Sequence, residues 1–242
     1  MISRSTLCVA LTSLWGVGCR WHPEGDLLVV PDSETVFHDD FDRLDLDSGW
    51  TFEGAATANY SLTERPGFMR IYAQDGQADP VGDSEGLLLR YLDGDFSLVT
   101  RMEFETLVDL QLAGLVIGGD DGRTVAFGLL TASGPRGAFR GLLLRGDRGP
   151  DMDPGRAAAV YESNDVLLRL ERIGDSYTAS YSSDGFTYTL VGTVVNDLSD
   201  SVRVGIGAAK SELCSSSCDE TVPADFDFFE ITWSGERSDG RQ

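Results

Sequence analysis

Carboxylates are the groups best able to do chemistry in this chain, and their spacing decides which chemistry. Cleaving a glycosidic bond takes two carboxyl groups aimed into one cleft. On a strand, whose side chains alternate between faces, that requires acids at alternate positions. No E-x-D-x-E or E-x-D-x-x-E run occurs. Asp225-Phe226-Asp227 comes nearest: the two aspartates share a face if the strand is regular, but Glu230 breaks the series. Histidine chemistry is confined to His22 and His38. Neither goes with a G-x-S-x-G nucleophile turn, and the H-E-x-x-H and P-loop patterns are missing. No catalytic residue is assigned.

Cysteine chemistry is equally sparse. Of four cysteines, Cys8 and Cys19 lie in or beside an apolar leader, leaving Cys214 and Cys218 in CSSSC. In an oxidising compartment two thiols this close pair as a structural disulfide that stiffens a loop tip; otherwise they stay free. With no histidine nearby they fall short of a zinc set. Ser182-Ser183-Asp184-Gly185 is similar to an Asp-box, one residue short between Asp and Gly and present once. It reads as a hairpin turn with Tyr188 packing beyond it.

The elements that would position such groups are short strands. YSLTERPGFMRIY places two apolar-alternating runs around Arg65-Pro66-Gly67. Pro66 lacks an N–H and Gly67 tolerates positive φ, so the chain must turn there. Residues 96–105 alternate most cleanly. Phe96, Leu98, Thr100, Met102 and Phe104 fall on one face, and Ser97, Val99, Arg101, Glu103 and Glu105 on the other. That is the pattern of a half-buried antiparallel strand. Similar runs, broken by Asp93-Gly94-Asp95, GGDDGR and Ile173-Gly174-Asp175, continue to Trp233. About a dozen strands and no amphipathic helix predict an all-β sandwich of two antiparallel sheets. Residues 186–191 are expected as a strand and 74–84 as a loop.

Composition narrows partners and location. Across 242 residues the net charge is −21, and Lys210 is the single lysine. So acidic a surface repels phosphate backbones and anionic membranes, which excludes nucleic acid as a partner. Residues 1–18 read as a signal peptide: Arg4, a short apolar run, then small residues before Cys19. The run is too short to span a bilayer. Gly16-Val17-Gly18-Cys19 is similar to a bacterial lipobox, which would make Cys19 a lipidation site, with plain secretion as the alternative. Residues 19–33 read as a tether, 34–235 as the sandwich and 236–242 as a flexible tail. The expected location is the cell envelope or outside the cell, with membrane contact only through the lipid.

Several segments in order, YSLTERPGFMRIYAQ, GLLLRYLDGDFSLVTRMEFE, AGLVIGGDDGRTVAFGL, VLLRLERIGDSYTASYSSDGFTYTLVG and ADFDFFEI, carry a family resemblance. The chain resembles the concanavalin-A-like domain at the C-terminus of family 43 β-xylosidases, and related stand-alone domains of unknown function. HDDFDRLDLDSGW matches the opening motif common to such domains. The resemblance implies a jelly roll of two packed sheets that supports or completes another domain's site, and does not imply catalysis by itself. It also implies a structural calcium ion where first and last strands meet, for which Asp40, Asp42 and Asp227 are the candidate oxygen ligands. In a protein this acidic they read equally as solvated carboxylates. A sugar site would need an aromatic platform among polar groups. The candidates are Arg90, Arg101, Glu103 and Arg169, outward if alternation holds, and Tyr72. The expected function is a non-catalytic, lectin-like module that binds glycan or another envelope component. A structural or protein-interaction module and a glycosidase with an unrecognised site are the alternatives.

Overall fold

The computed structural model describes residues 35–53, 60–76, 87–106, 111–134, 137–146, 155–211 and 222–233, all within the unit from Pro31 to Gln242. The leader, Cys19, Cys214 and Cys218 lie outside the described residues. The first eight strands are β1 (Thr35–Asp39), β2 (Thr51–Glu53), β3 (Tyr60–Ser61), β4 (Met69–Tyr72), β5 (Gln74–Gly76), β6 (Leu87–Asp93), β7 (Phe96–Phe104) and β8 (Gln111–Gly118). Then come β9 (Thr124–Gly134), β10 (Gly137–Gly146), β11 (Gly155–Val160), β12 (Asp165–Ile173), β13 (Ser176–Ser182), β14 (Thr189–Val195), β15 (Ser201–Ser211) and β16 (Pro223–Trp233). The expected all-β sandwich is what forms, with no helix among the described residues.

One sheet runs β14-β13-β12-β7-β16-β4-β3, with β1 also on β16; the other runs β11-β10-β9-β8-β15-β6-β2, with β5 on β15. Every pairing is antiparallel except β5 with β15. Residues 74–76 show no alternation because this pairing is three residues long and marks a passing contact, so the sequence reads as loop. Asp93-Gly94-Asp95 does turn, with Gly94 at φ +77°. It carries the chain from β6 in one sheet to β7 in the other rather than closing a hairpin. Gly174, at φ +55°, closes the β12–β13 hairpin.

The core lies between the sheets. On β7 the inward residues Phe96, Leu98, Thr100, Met102 and Phe104 are buried, as the alternation requires. They pack with Phe226 and Phe229 from β16 and with Leu115, Ile117, Phe127, Leu129 and Leu144 from the opposite sheet. Each such side chain contributes about 1.5–3 kcal/mol relative to exposure. In the second sheet Gly114 stands opposite Gly128. A Cβ on Gly128 would sit 2.0 Å from the Ala113 carbonyl oxygen, so no larger residue fits there.

Two local features depart from regular alternation. In β16 the pairing with β7 slips between Phe226 and Phe228, so Asp227 is the extra residue of a bulge. Phe226 and Phe229 consequently face the core and Phe228 faces out. The Thr100 hydroxyl donates to the Phe228 carbonyl (2.5 Å) and fixes the bulge from inside. At the opening motif, Asp39 is buried and its carboxylate accepts from Trp50 Nε1 (2.7 Å) and Phe41 N (2.9 Å) and pairs with Arg43. Those bonds hold Phe41 at φ 54° with its ring fully buried.

Candidate ligand-binding face

The outward positions of the first sheet form rows fixed by strand register. One row runs Ser61, Arg70, Asp225, Glu103, Asp165 across β3, β4, β16, β7 and β12. The next places Phe228, Arg101 and Leu167 side by side. A third runs His38, Glu230, Val99, Arg169, Ser180 across β1, β16, β7, β12 and β13.

The first row is a charged clamp. In the loop between β3 and β4, Phe68 N donates to Arg65 O (3.1 Å) and Gly67 takes φ +80°, which folds Arg65 back over the sheet. Its guanidinium donates to both Glu103 oxygens (2.9 Å each) and to Asp225 Oδ2 (2.8 Å), and lies 3.7 Å above the Phe68 ring. Arg70 grips Asp225 from the neighbouring strand through Nε (2.7 Å) and Nη2 (2.8 Å). Burial pushes the Asp225 carboxyl up, but hydrogen bonds from Arg70 and Arg65 outweigh it and hold it below the usual carboxylate range. Glu64 accepts from the Tyr72 hydroxyl, which raises the Tyr72 pKa. The LTERPGF segment is therefore a latch, with Glu64 and Arg65 as its working residues.

In the second row Arg101 holds Asp165 with two bonds, from Nε (2.9 Å) and Nη2 (2.6 Å). The Arg101 guanidinium lowers the Asp165 pKa. In the third row Val99 is short and half-buried, with longer side chains around it. Arg169 donates to Ser97 Oγ (3.2 Å) and stands 5.4 Å from the Tyr188 ring centre. Opposite, the His38 ring stacks on Phe228, with centres 5.7 Å apart and planes 24° apart, and Nδ1 is 3.3 Å from Glu230. Val99 thus lies between two ring-bearing flanks, the His38–Phe228 stack on one side and Arg169 with Tyr188 on the other. The Arg169 guanidinium and the Glu230 carboxylate flank Val99, groups able to donate to and accept from hydroxyls. A general acid needs its carboxyl held up, whereas Asp225 is held down. The bulge leaves Asp227 without a partner on β7, while Asp225 stays opposite Glu103.

Of the five expected ligand-binding residues, four come together on this sheet: Tyr72, Arg101, Glu103 and Arg169. Arg90 stands apart, on β6 of the other sheet. Its guanidinium lies 3.5 Å over the Phe37 ring and 5.5 Å from that of Trp50, and burial lowers its pKa. The outward reading of Arg90 is corrected by register, because it pairs with core-facing Val204. Sequence reasoning missed Arg65, Arg70, Tyr188 and Phe228 as parts of the face. The Pro66-Gly67 turn was a signal for the first, and Phe228 follows only from the bulge. Asp40 and Asp42 are exposed, and Asp42 N donates to Asp40 Oδ1 (3.1 Å) in a local turn. Among the described residues no three His, Cys, Asp or Glu side chains form a group that could hold a metal ion, so Asp40, Asp42 and Asp227 are not gathered as ligands.

This sandwich of two mostly antiparallel sheets is consistent with a concanavalin-A-like fold. Residues 38–232 match the model of the β-xylosidase C-terminal concanavalin-A-like domain, and the chain belongs to that family. Solved structures share the fold. A family 43 glycoside hydrolase, BlXynB from Bacillus licheniformis, aligns at TM-score 0.67 and 18% identity over 80% of this chain and 38% of its own. The xylan β-1,4-xylosidase of Bacillus halodurans aligns at 0.62 and 21%, again over 80% and 38%. A functionally unknown protein of Saccharomyces cerevisiae aligns at 0.53 and 16%, over 76% of this chain and 95% of its own. The chain thus spans 38% of the two hydrolases and nearly all of the yeast protein. No curated protein matches it by sequence.

Proposed function

We propose that this domain is a non-catalytic, lectin-like module that binds a neutral glycan, or another envelope component of similar chemistry, on the outer face of its first sheet. The observation that carries this reading is the half-buried Val99 flanked by rings on both sides, with charged donors and acceptors beside it. Sugars present apolar ring faces and hydroxyl edges, and such a surface answers both. The net charge of −21 argues for a neutral polymer over an anionic one. Cys19, if lipidated, would hold the domain at the envelope surface. That two matched hydrolases carry this fold as 38% of a longer chain favours a second reading, a module that docks against another protein domain.

A glycan array, followed by affinity electrophoresis in xylan, xyloglucan, arabinan and polygalacturonate, separates these readings. Retardation by a neutral polysaccharide, lost in Arg169→Ala and Phe228→Ala, is the expected result. Equal retardation by polygalacturonate, or none by any glycan, would reject the proposed ligand class.

A further inference from the structure

Phe186 is the most exposed large apolar residue among the described ones, with 91% of its surface open to solvent. It is also firmly held. The expected β-strand over residues 186–191 begins later, at Thr189, because the turn before it is longer and internally bonded. Asp184 Oδ1 accepts from Phe186 N and Thr187 N (2.8 Å each) and from the Ser182 hydroxyl (2.8 Å). Ser182 Oγ accepts in turn from Asp184 N (3.3 Å) and Gly185 N (2.9 Å), and Gly185 takes φ +79°. Backbone hydrogen bonds from Thr187 and Phe186 push Asp184 down to about 2, so this cap stays charged at any ordinary pH. An apolar ring left fully in water on a pre-ordered turn has already lost the backbone freedom that binding would otherwise cost. Such a ring is suited to stack, and it needs a flat apolar partner.

Its position says which partner. Two residues further on, Tyr188 leans over the face beside Arg169, where burial raises its pKa. Leu190, 63% exposed, follows on β14. The Phe228–His38 stack marks the far side of the same face, with β7 and β12 between it and the turn. Adjacent strands lie about 4.8 Å apart, so the span exceeds one sugar ring. We infer that Phe186 is an outer stacking subsite, and that the face takes a run of several sugar units along a neutral chain rather than a single terminal sugar. This rests on the glycan reading above and extends it.

Titration calorimetry with a xylo-oligosaccharide series from two to six units, together with matched cello- and arabino-series, tests it. In whichever series binds, affinity should rise with length. Phe186→Ala should weaken the longest oligomer about tenfold and leave the shortest unchanged. Phe186→Trp should restore the lost affinity, and Asp184→Ala, which frees the turn but keeps the ring, should give an intermediate loss. If Phe186→Ala binds every length as wild type does while Arg169→Ala abolishes binding, the outer subsite is overturned and the face stands. If the wild type binds no length of any series, both fall.

Discussion

Arg65 and Asp225 lie 160 positions apart in sequence and 2.8 Å apart in space. Their bond pins the loop between β3 and β4 onto the middle of the first sheet. Arg70 completes the grip from the opposite side, so one buried carboxylate answers two guanidinium groups.

Removing that carboxylate leaves two arginines without their shared acceptor. Asp225→Asn should destabilise the domain by about 2 kcal/mol, lowering the melting temperature by roughly 4–8 °C. Arg65→Ala should cost less, since Arg70 still pairs with Asp225. Thermal unfolding of the three proteins followed by circular dichroism checks the order.

Acid should weaken the fold in a defined window. Asp225, Asp165 and Asp184 all have folded pKa values below ordinary, the last about 2. The unfolded chain therefore binds more protons in that range, so stability rises with pH. The contribution of these groups is complete above the unfolded carboxylate value of ~3.9 and is lost as pH falls through the lower folded values. Urea midpoints measured between about pH 5 and 2 should fall steadily, and Asp225→Asn should flatten the slope.

At Gly128 the constraint is steric. A methyl group there meets the Ala113 carbonyl oxygen at 2.0 Å, and backbone cannot swing aside as a side chain would. Gly128→Ala should cost about 3 kcal/mol. Gly185 meets nothing within 4 Å but sits at φ +79°, so Gly185→Ala should cost only ~1–2 kcal/mol. Guanidinium unfolding of both variants compares clash with strain directly.

The bulge in β16 should tolerate both a change of its extra residue and its removal. Asp227→Ala keeps the extra residue and should leave the fold intact. Deleting Asp227 removes the extra residue and leaves Phe226, Phe228 and Phe229 opposite Met102, Arg101 and Thr100 in unbroken register, so the core face is kept and the variant should still unfold cooperatively. Thr100→Val, which removes the hydroxyl bonded to the Phe228 carbonyl, should cost about 1 kcal/mol.

Much of this was legible before any coordinates. The period-two run in β7 assigns its buried face correctly, and its open face apart from Ser97, which is buried beside Arg169; the Arg65-Pro66-Gly67 turn falls where expected. The family resemblance supplied the two-sheet architecture. Three things were not legible. Arg90 faces inward because its register against β15 is set by a strand more than a hundred residues away. Phe228 joins the face through an inserted residue that local pattern does not reveal. The late start of β14 comes from side-chain bonds by Ser182 and Asp184, which prolong a turn that strand propensity alone would end earlier. Of the candidate face, single residues such as Arg101 and Arg169 could be picked out, but not their neighbours across the sheet.

β1 and β16 run side by side, with Thr35 opposite Thr232. The two ends of the fold therefore share one corner. A spacer of a few residues between them, with a new break at the exposed Gly174 turn, would yield a circular permutant needing no rearrangement of either sheet. By the same geometry, cargo fused before or after the sandwich would depart from a single spot.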